Sequence, residues 1–297
     1  MFLNTHTQLY FLLVFCIFEC VKLDCADLWI RLSMIVTHTH THTHTRLDTL
    51  PTSTSLQLTD WEFTSAMRHR LGLTNMPANA PGVQCFCGRH LKQGDTDHAM
   101  TCKSLSGAMT LRHDLTKNDW CRIARRAGIA TSAEPVLRPL QGAQAALLAD
   151  RQGSRGDILL ALSSALTVAD VSIVHPAADT YVRAAANAAG SAAAVRDQAK
   201  RARYETDDPH GYAFIPLSME TYGRMGKPAM ELLNKLAETA ADGGVNKDSF
   251  VTNALRVLSI GLCRGNAVLY KRSLPVMARV RGTSFRSGML VPTGEIP

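Results

Sequence analysis

"RGDILLALSSALTVADVSIVHP", residues 155–176, decides how the chain is read. It holds two apolar, partly β-branched runs, "GDILLAL" and "LTVADVSIVH", joined by a short Ser/Ala link, which predicts two consecutive strands. Asp157 opens the first run and Asp170 lies inside the second. A half-buried carboxylate is costly unless it is paired or bound to a cation. Asp157 alone is consistent with a turn cap after "RQGSRG". Asp170 interrupts a strand of β-branched residues, and a turn role does not account for it. The pair therefore points either into solvent or to a hairpin built to hold a metal.

With 297 residues and 46% hydrophobic content, the chain has enough apolar material for a real core, which excludes a wholly disordered protein. The formal charge is +7. Residues 1–54 are slightly acidic, so the basic excess belongs to the remainder, and a basic body suits a polyanionic partner.

The first 54 residues read as a flank outside the fold. "LYFLLVFCIFECV" (9–21) resembles the h-region of a signal peptide but lacks a basic residue before it. The run is short for a membrane span, and Glu19 interrupts it. "THTHTHTHT" (37–45) sets His38, His40, His42 and His44 at strand alternation, which could bind a transition metal. A dinucleotide repeat of A and C read in triplets also alternates the Thr codon ACA with the His codon CAC. The stretch is accordingly read as a translated microsatellite.

Cysteine usage separates into groups. Cys16, Cys20 and Cys25 lie in the N-terminal flank, and Cys121 and Cys263 stand alone. "CFCGRHLKQGDTDHAMTC" supplies Cys85, Cys87, His98 and Cys102, a ligand set suited to zinc in a closed tetrahedral site. Gly88 permits the tight turn after Cys87, and the four-residue spacing of His98 and Cys102 is one helical turn. His90 is an alternative ligand, and Asp97 an alternative helix cap. A secreted or membrane-anchored protein would oxidise these thiols, so a thiolate site and a working signal peptide conflict.

Downstream, "SLSGAMTLRHDLTKNDWCRIARRAGI" predicts a helix with Leu111, Leu115, Trp120 and Ile123 on its apolar face and Gly128 as its stop. Arg122, Arg125 and Arg126 fall on the other side, as a solvated face or a phosphate contact. After the two strands, "AAANAAGSAAAVRDQAKRARYE" predicts an alanine-rich helix on which Arg196, Lys200 and Arg203 form one basic stripe. "GYAFIPLSMETYGRMG" reads as a strand and "KPAMELLNKLAETAA" as a helix. This order predicts an α/β layer arrangement.

Glu134, then Asp157 opening a strand, then Asp170 inside the next, resembles the PD-(D/E)XK restriction-endonuclease-like nucleases. The Cys-x-Cys…His-x3-Cys cluster and the "RHD" of Arg112–Asp114 sharpen the likeness. So do "FIPLSMETYGRMG" and "RVLSIGLCRGNAVL". Together, across roughly residues 58–285, they resemble the C-terminal part of site-specific non-LTR retrotransposon polyproteins, in which a zinc knuckle and a restriction-like endonuclease follow a reverse transcriptase. The resemblance implies a restriction-endonuclease-like mixed sheet flanked by helices, preceded by a small zinc-knuckle module. The divisions are a flank at 1–54, the knuckle region at 55–104, the endonuclease-like domain at 105–241 and a helical tail at 242–297.

The activity so implied is hydrolysis of DNA phosphodiesters, with DNA or RNA as partner and the nucleus as compartment. Asp157, Asp170 and Glu134 would hold Mg2+ or Mn2+, since that chemistry needs a hard cation on carboxylate oxygens with positions open for water and phosphate. Glu220 is an alternative fourth acid, and His113 and Tyr204 are auxiliary candidates. The lysine expected two residues after the second acid is absent, because Ser172 stands there. Lys200, on the neighbouring helix, is the expected replacement. Arg112, Arg196 and Arg203 are the expected nucleic-acid contacts. A non-catalytic nucleic-acid-binding relic is the alternative, needing the knuckle and a basic surface but no convergence of Glu134, Asp157, Asp170 and Lys200.

Overall fold

The computed structural model describes residues 53–73, 75, 84–91, 97–135, 156–163, 165–207, 212–273, 285–286 and 289–290. The apolar segment at 9–21, the Thr-His repeat, and Cys16, Cys20 and Cys25 lie outside the described residues.

The described elements run α1 (Asp60–Arg70), α2 (His98–Thr101), α3 (Ser106–Arg126), β1 (Thr131–Ala133), β2 (Ile158–Leu162), β3 (Ala165–Val174), α4 (Val182–Asn187), α5 (Ser191–Asp207), β4 (Ala213–Glu220), α6 (Lys227–Asp242) and α7 (Lys247–Ser273). A two-residue pair, β5 (Phe285–Arg286) with β6 (Met289–Leu290), follows. The main sheet is four-stranded in the order β1-β2-β3-β4. Its first two pairings are antiparallel and the last is parallel, with α4 and α5 forming the crossover from β3 to β4. The expected α/β class is therefore present, with a mixed sheet flanked by helices.

Local chemistry explains the element ends. Thr59 and Glu62 form a reciprocal capping box that starts α1. Pro228 opens α6 near its N-terminus, where a missing N–H costs nothing. The alanine-rich stretch is not one helix: Gly190, at φ +85°, breaks it into α4 and α5.

β3 is buried on both faces. On one, Ala169 and Val171 join Ile158, Leu160, Leu217 and Met219 in a core closed by Trp120 and Ile123 of α3 and by Leu232, Leu233 and Leu236 of α6. Each such leucine contributes about 1.5–3 kcal/mol by leaving water. The other face carries Asp170 and Ser172, in register with Pro216 and Ser218 of β4, and α5 covers it.

The long helix α7 packs against α1, α3 and α6, so this helix of the 242–297 segment belongs to the same core. Its glycines face buried charge on α3. A Cβ on Gly265 would stand 2.4 Å from Arg112 Cγ, and one on Gly261 would stand 2.0 Å from Asp119 Oδ2. This notch corrects the expected face of α3. Leu111 is exposed, whereas Arg112, Thr116 and Asp119 point inward. Arg112 is only 4% exposed and is thus no phosphate contact. Its Nη1 donates to Asn266 Oδ1 at 2.9 Å and lies 3.4 Å from Met100 Sδ, and burial lowers its pKa to about 10.

Gly265→Ala tests this notch. Alanine favours a helix interior by about 1 kcal/mol over glycine. Pressing a methyl into Arg112 costs about 1–3 kcal/mol, so the variant melts below wild type. A thermal melt of the full chain showing an unchanged or raised Tm contradicts the packing described.

Candidate functional site

The pairing of three strands aligns the predicted acids. One step beyond the pair Ile158 and Ala169, the antiparallel register sets Asp157 opposite Asp170. One step beyond Ala133 and Ile158, the Glu134 N–H donates to the Asp157 carbonyl at 2.8 Å. Glu134, Asp157 and Asp170 thus occupy one row across neighbouring strands, where directly opposed Cβ atoms stand about 4.5–5.5 Å apart. Glu134 departs from strand geometry, with φ +49°, a conformation costing a non-glycine residue about 1–3 kcal/mol.

Cations and donors from two helices meet this row. From α3, His113 Nε2 lies 3.0 Å from Asp157 Oδ2 and Nδ1 lies 3.3 Å from Asp114 Oδ1. The same Asp157 oxygen accepts the Val171 N–H at 2.7 Å. Lys117 Nζ pairs with Glu134 Oε1 and, at 3.0 Å, with Asp114 Oδ1. From α5, Lys200 Nζ lies 2.6 Å from Asp170 Oδ2 and Arg196 Nε lies 3.3 Å from Ser172 Oγ. The Lys200 contact is an ion pair without hydrogen-bond alignment, since Asp170 Oδ2 is buried and receives no aligned donor.

The electrostatics follow from burial and pairing. The hydrogen bond to Asp157 raises the His113 pKa, against the effect of burial. Burial raises the Asp170 carboxyl, opposed by Lys200 and reinforced by Asp157. Burial thus disfavours the ionised form of Asp170, and the neighbouring Lys200 ammonium favours it.

Several expected residues lie elsewhere. Arg196 and Lys200 turn toward the sheet rather than forming a stripe in solvent, while Arg203 is exposed. Glu220 is fully buried four residues along the neighbouring strand from the row. Its Oε1 accepts the Ala193 N–H at 3.3 Å near the start of α5, and burial raises its pKa to about 7. Tyr204 is a packed ring, stacked on Phe214 with centroids 3.8 Å apart. Arg122 and Arg126 border a separate cleft of about 330 Å³ floored by Phe250 and Val257, formed without any residue of the acid row.

The second cluster lies between α1 and α3. Gly88, at φ +86°, turns the chain so that Cys85 and Cys87 approach His98 and Cys102, and the four ligand atoms all lie within 4.8 Å of one another. Cys85 Sγ and Cys102 Sγ are 3.7 Å apart, and Cys87 Sγ is 3.4 Å from His98 Nε2. Two thiolates at about 2.3 Å from a tetrahedral ion would stand about 3.8 Å apart. The cluster could hold a metal ion such as zinc. His90 is outside it, paired with Gln84 across the small turn. Burial pushes the Cys85 thiol up to about 11, a cost that a bound cation would offset. Cys85 and Cys102 also pack with Leu269 and Tyr270 of α7.

A third polar group has no counterpart in the sequence reading. Asp97 makes no side-chain cap but sits 3.8 Å from His69 Nδ1 and 3.7 Å from His175 Nε2. Tyr270 Oη is 2.7 Å from His69 Nδ1, and burial lowers the His69 pKa to about 3, leaving a neutral ring. These residues join α1, the knuckle, the end of β3 and α7, a clustering invisible in sequence because its members span residues 69–270.

No known family matches the chain, and no curated protein matches it either.

Two outcomes follow from these geometries. The purified full chain should bind about one zinc per molecule, and Cys102→Ser should lose that metal and melt at lower temperature, as read by metal analysis and calorimetry. Full metal retention by Cys102→Ser contradicts the quartet. The His113–Asp157 pair should stabilise the fold most below about pH 6.5, the ordinary imidazole value, where the ring is protonated. Because the folded pKa of His113 is raised, that increment disappears as pH rises through it. Denaturant titrations of wild type and His113→Asn would contradict the pair if their difference stayed constant into alkaline pH.

Proposed function

We propose that the chain is a metal-dependent DNA endonuclease of retroelement origin, built on a restriction-endonuclease-like fold and acting in the nucleus. The observation that carries this reading is the row of Glu134, Asp157 and Asp170 with the Lys200 ammonium 2.6 Å from Asp170. It brings together the acids and the relocated cation that the sequence resemblance names.

The donor chemistry suits a hard cation. The strand register sets Asp157 opposite Asp170, so both carboxylates belong to the same row. These two carboxylates would hold Mg2+ or Mn2+, with Glu134 as the third acid. When bound, such an ion supplies Lewis-acid polarisation of a phosphate oxygen and lowers the pKa of water. The protein's own groups orient the site: the Val171 N–H and His113 fix Asp157, and Asp114 fixes the far side of the imidazole. Lys117 steadies Glu134. In the net reaction, water oxygen bonds to phosphorus as the P–O3′ bond breaks. One water proton ends on O3′ and the other in solvent, leaving a 3′ hydroxyl and a 5′ phosphate. The knuckle and the exposed Arg203 would contact the backbone of the same DNA.

A second reading, a nucleic-acid-binding relic without catalysis, is favoured by one observation. Lys117, Lys200 and His113 already neutralise the acids, and no three ligand atoms of this row fall within 4.8 Å of one another among the described residues.

Nicking of supercoiled plasmid by the full chain in Mg2+ or Mn2+ tests both. The expected result is metal-dependent nicking that Asp157→Asn with Asp170→Asn reduces to background. DNA binding without cutting by wild type supports the relic instead.

A further inference from the structure

We infer that Arg196, rather than Lys200, presents the positive charge that meets the scissile phosphate, an inference that rests on the endonuclease reading. The side-chain spacings of β3 and α5 match. Asp170 and Ser172 are two residues apart on β3 and share a face, a step of about 6.6 Å. Arg196 and Lys200 are four apart on α5, a rise of about 6 Å along one side of the helix. The two ladders mesh, so Lys200 reaches Asp170 and Arg196 reaches Ser172.

The two cations are spent differently. Lys200 faces a carboxylate at 2.6 Å, and an approaching phosphate meets that pair as nearly neutral. Arg196 faces a hydroxyl, which orients it without cancelling its charge. A guanidinium carries five N–H donors in a planar fork, and Ser172 takes one, through Nε. The fork matches two phosphate oxygens at once, which a lysine ammonium cannot do in one plane. Both non-bridging oxygens gain negative charge as water attacks and the P–O3′ bond lengthens, so a fixed guanidinium stabilises that state more than the ground state. Arg196 keeps all its protons throughout, acting by hydrogen bonding and charge alone.

The test uses the full chain in two assays, with thermal melts to check that each variant folds. In plasmid nicking, Arg196→Gln should lower kcat by about 10²-fold or more with little change in KM, and Arg196→Lys should recover part of the loss. Adding Ser172→Lys to Arg196→Gln should also restore nicking, because strand alternation puts the new ammonium on the same face. In metal-free duplex binding over a salt series, Arg196→Gln should reduce the slope of log K against log salt by about 0.9. Wild-type nicking with an unaffected Arg196→Gln overturns the inference and leaves the endonuclease reading standing. Wild-type binding without nicking overturns the endonuclease reading, and the salt slope then decides whether Arg196 meets a phosphate. No binding by wild type overturns both.

Discussion

A strand buried on both faces cannot carry charge on one of them without help, and β3 does carry it. Asp170 loses its water to the packing of α5, and the cost of that dehydration is what the surrounding side chains are arranged to offset. Lys200 answers Asp170 directly, His113 and the Val171 N–H answer Asp157, and Lys117 answers Glu134. Of the helices supplying those groups, α3 is fixed by the opposite, aliphatic face of the sheet, where it closes the core with α6, while α5 lies on the polar face itself. The polar side is thus assembled by an apolar one, and neither layer is independent of the other.

The same logic governs the contact of α3 with α7. Burying Arg112 and Asp119 between two helices requires space and partners, and Gly261 and Gly265 supply the space. Asn266 supplies the partner, its Oδ1 accepting from Arg112 while its Nδ2 donates to the Thr221 carbonyl at 2.9 Å just beyond β4. One amide thereby ties a helix pair to the end of the sheet.

Much of this was legible in sequence where a residue broke a local pattern. Asp170 stood out because it interrupted β-branched residues, and the Cys/His quartet because its ligand types were crowded into a short stretch. The strands "DILLAL" and "LTVADVSIV" followed from their apolar, partly β-branched runs, and the helix over α6 was also legible in its own stretch. The orientation of α3 did not. Leu111 and Leu115 suggested the buried face, but the notch that selects Arg112 instead lies some 150 residues away on α7, and no local rule registers it. Glu134 stood beside a proline with little to mark it. Its place in the acid row depends on which strands pair, and its left-handed backbone gave no local signal. The histidine group around Asp97 was missed for the same reason, since its members are near neighbours only after the chain has folded.

Arg112 and His113 are consecutive residues with different charges to satisfy. The first reaches Met100 beside the Cys/His cluster, and the second reaches Asp157 on the sheet. Side chains one residue apart on a helix diverge by about 100°, so α3 acts as a rigid shaft between the two places. Its rotational setting is held by the α7 notch around Arg112 and Asp119, and the Met100 contact ties the knuckle to the same helix. An angular slip of α3 would therefore appear at the carboxylate row as a misaligned imidazole.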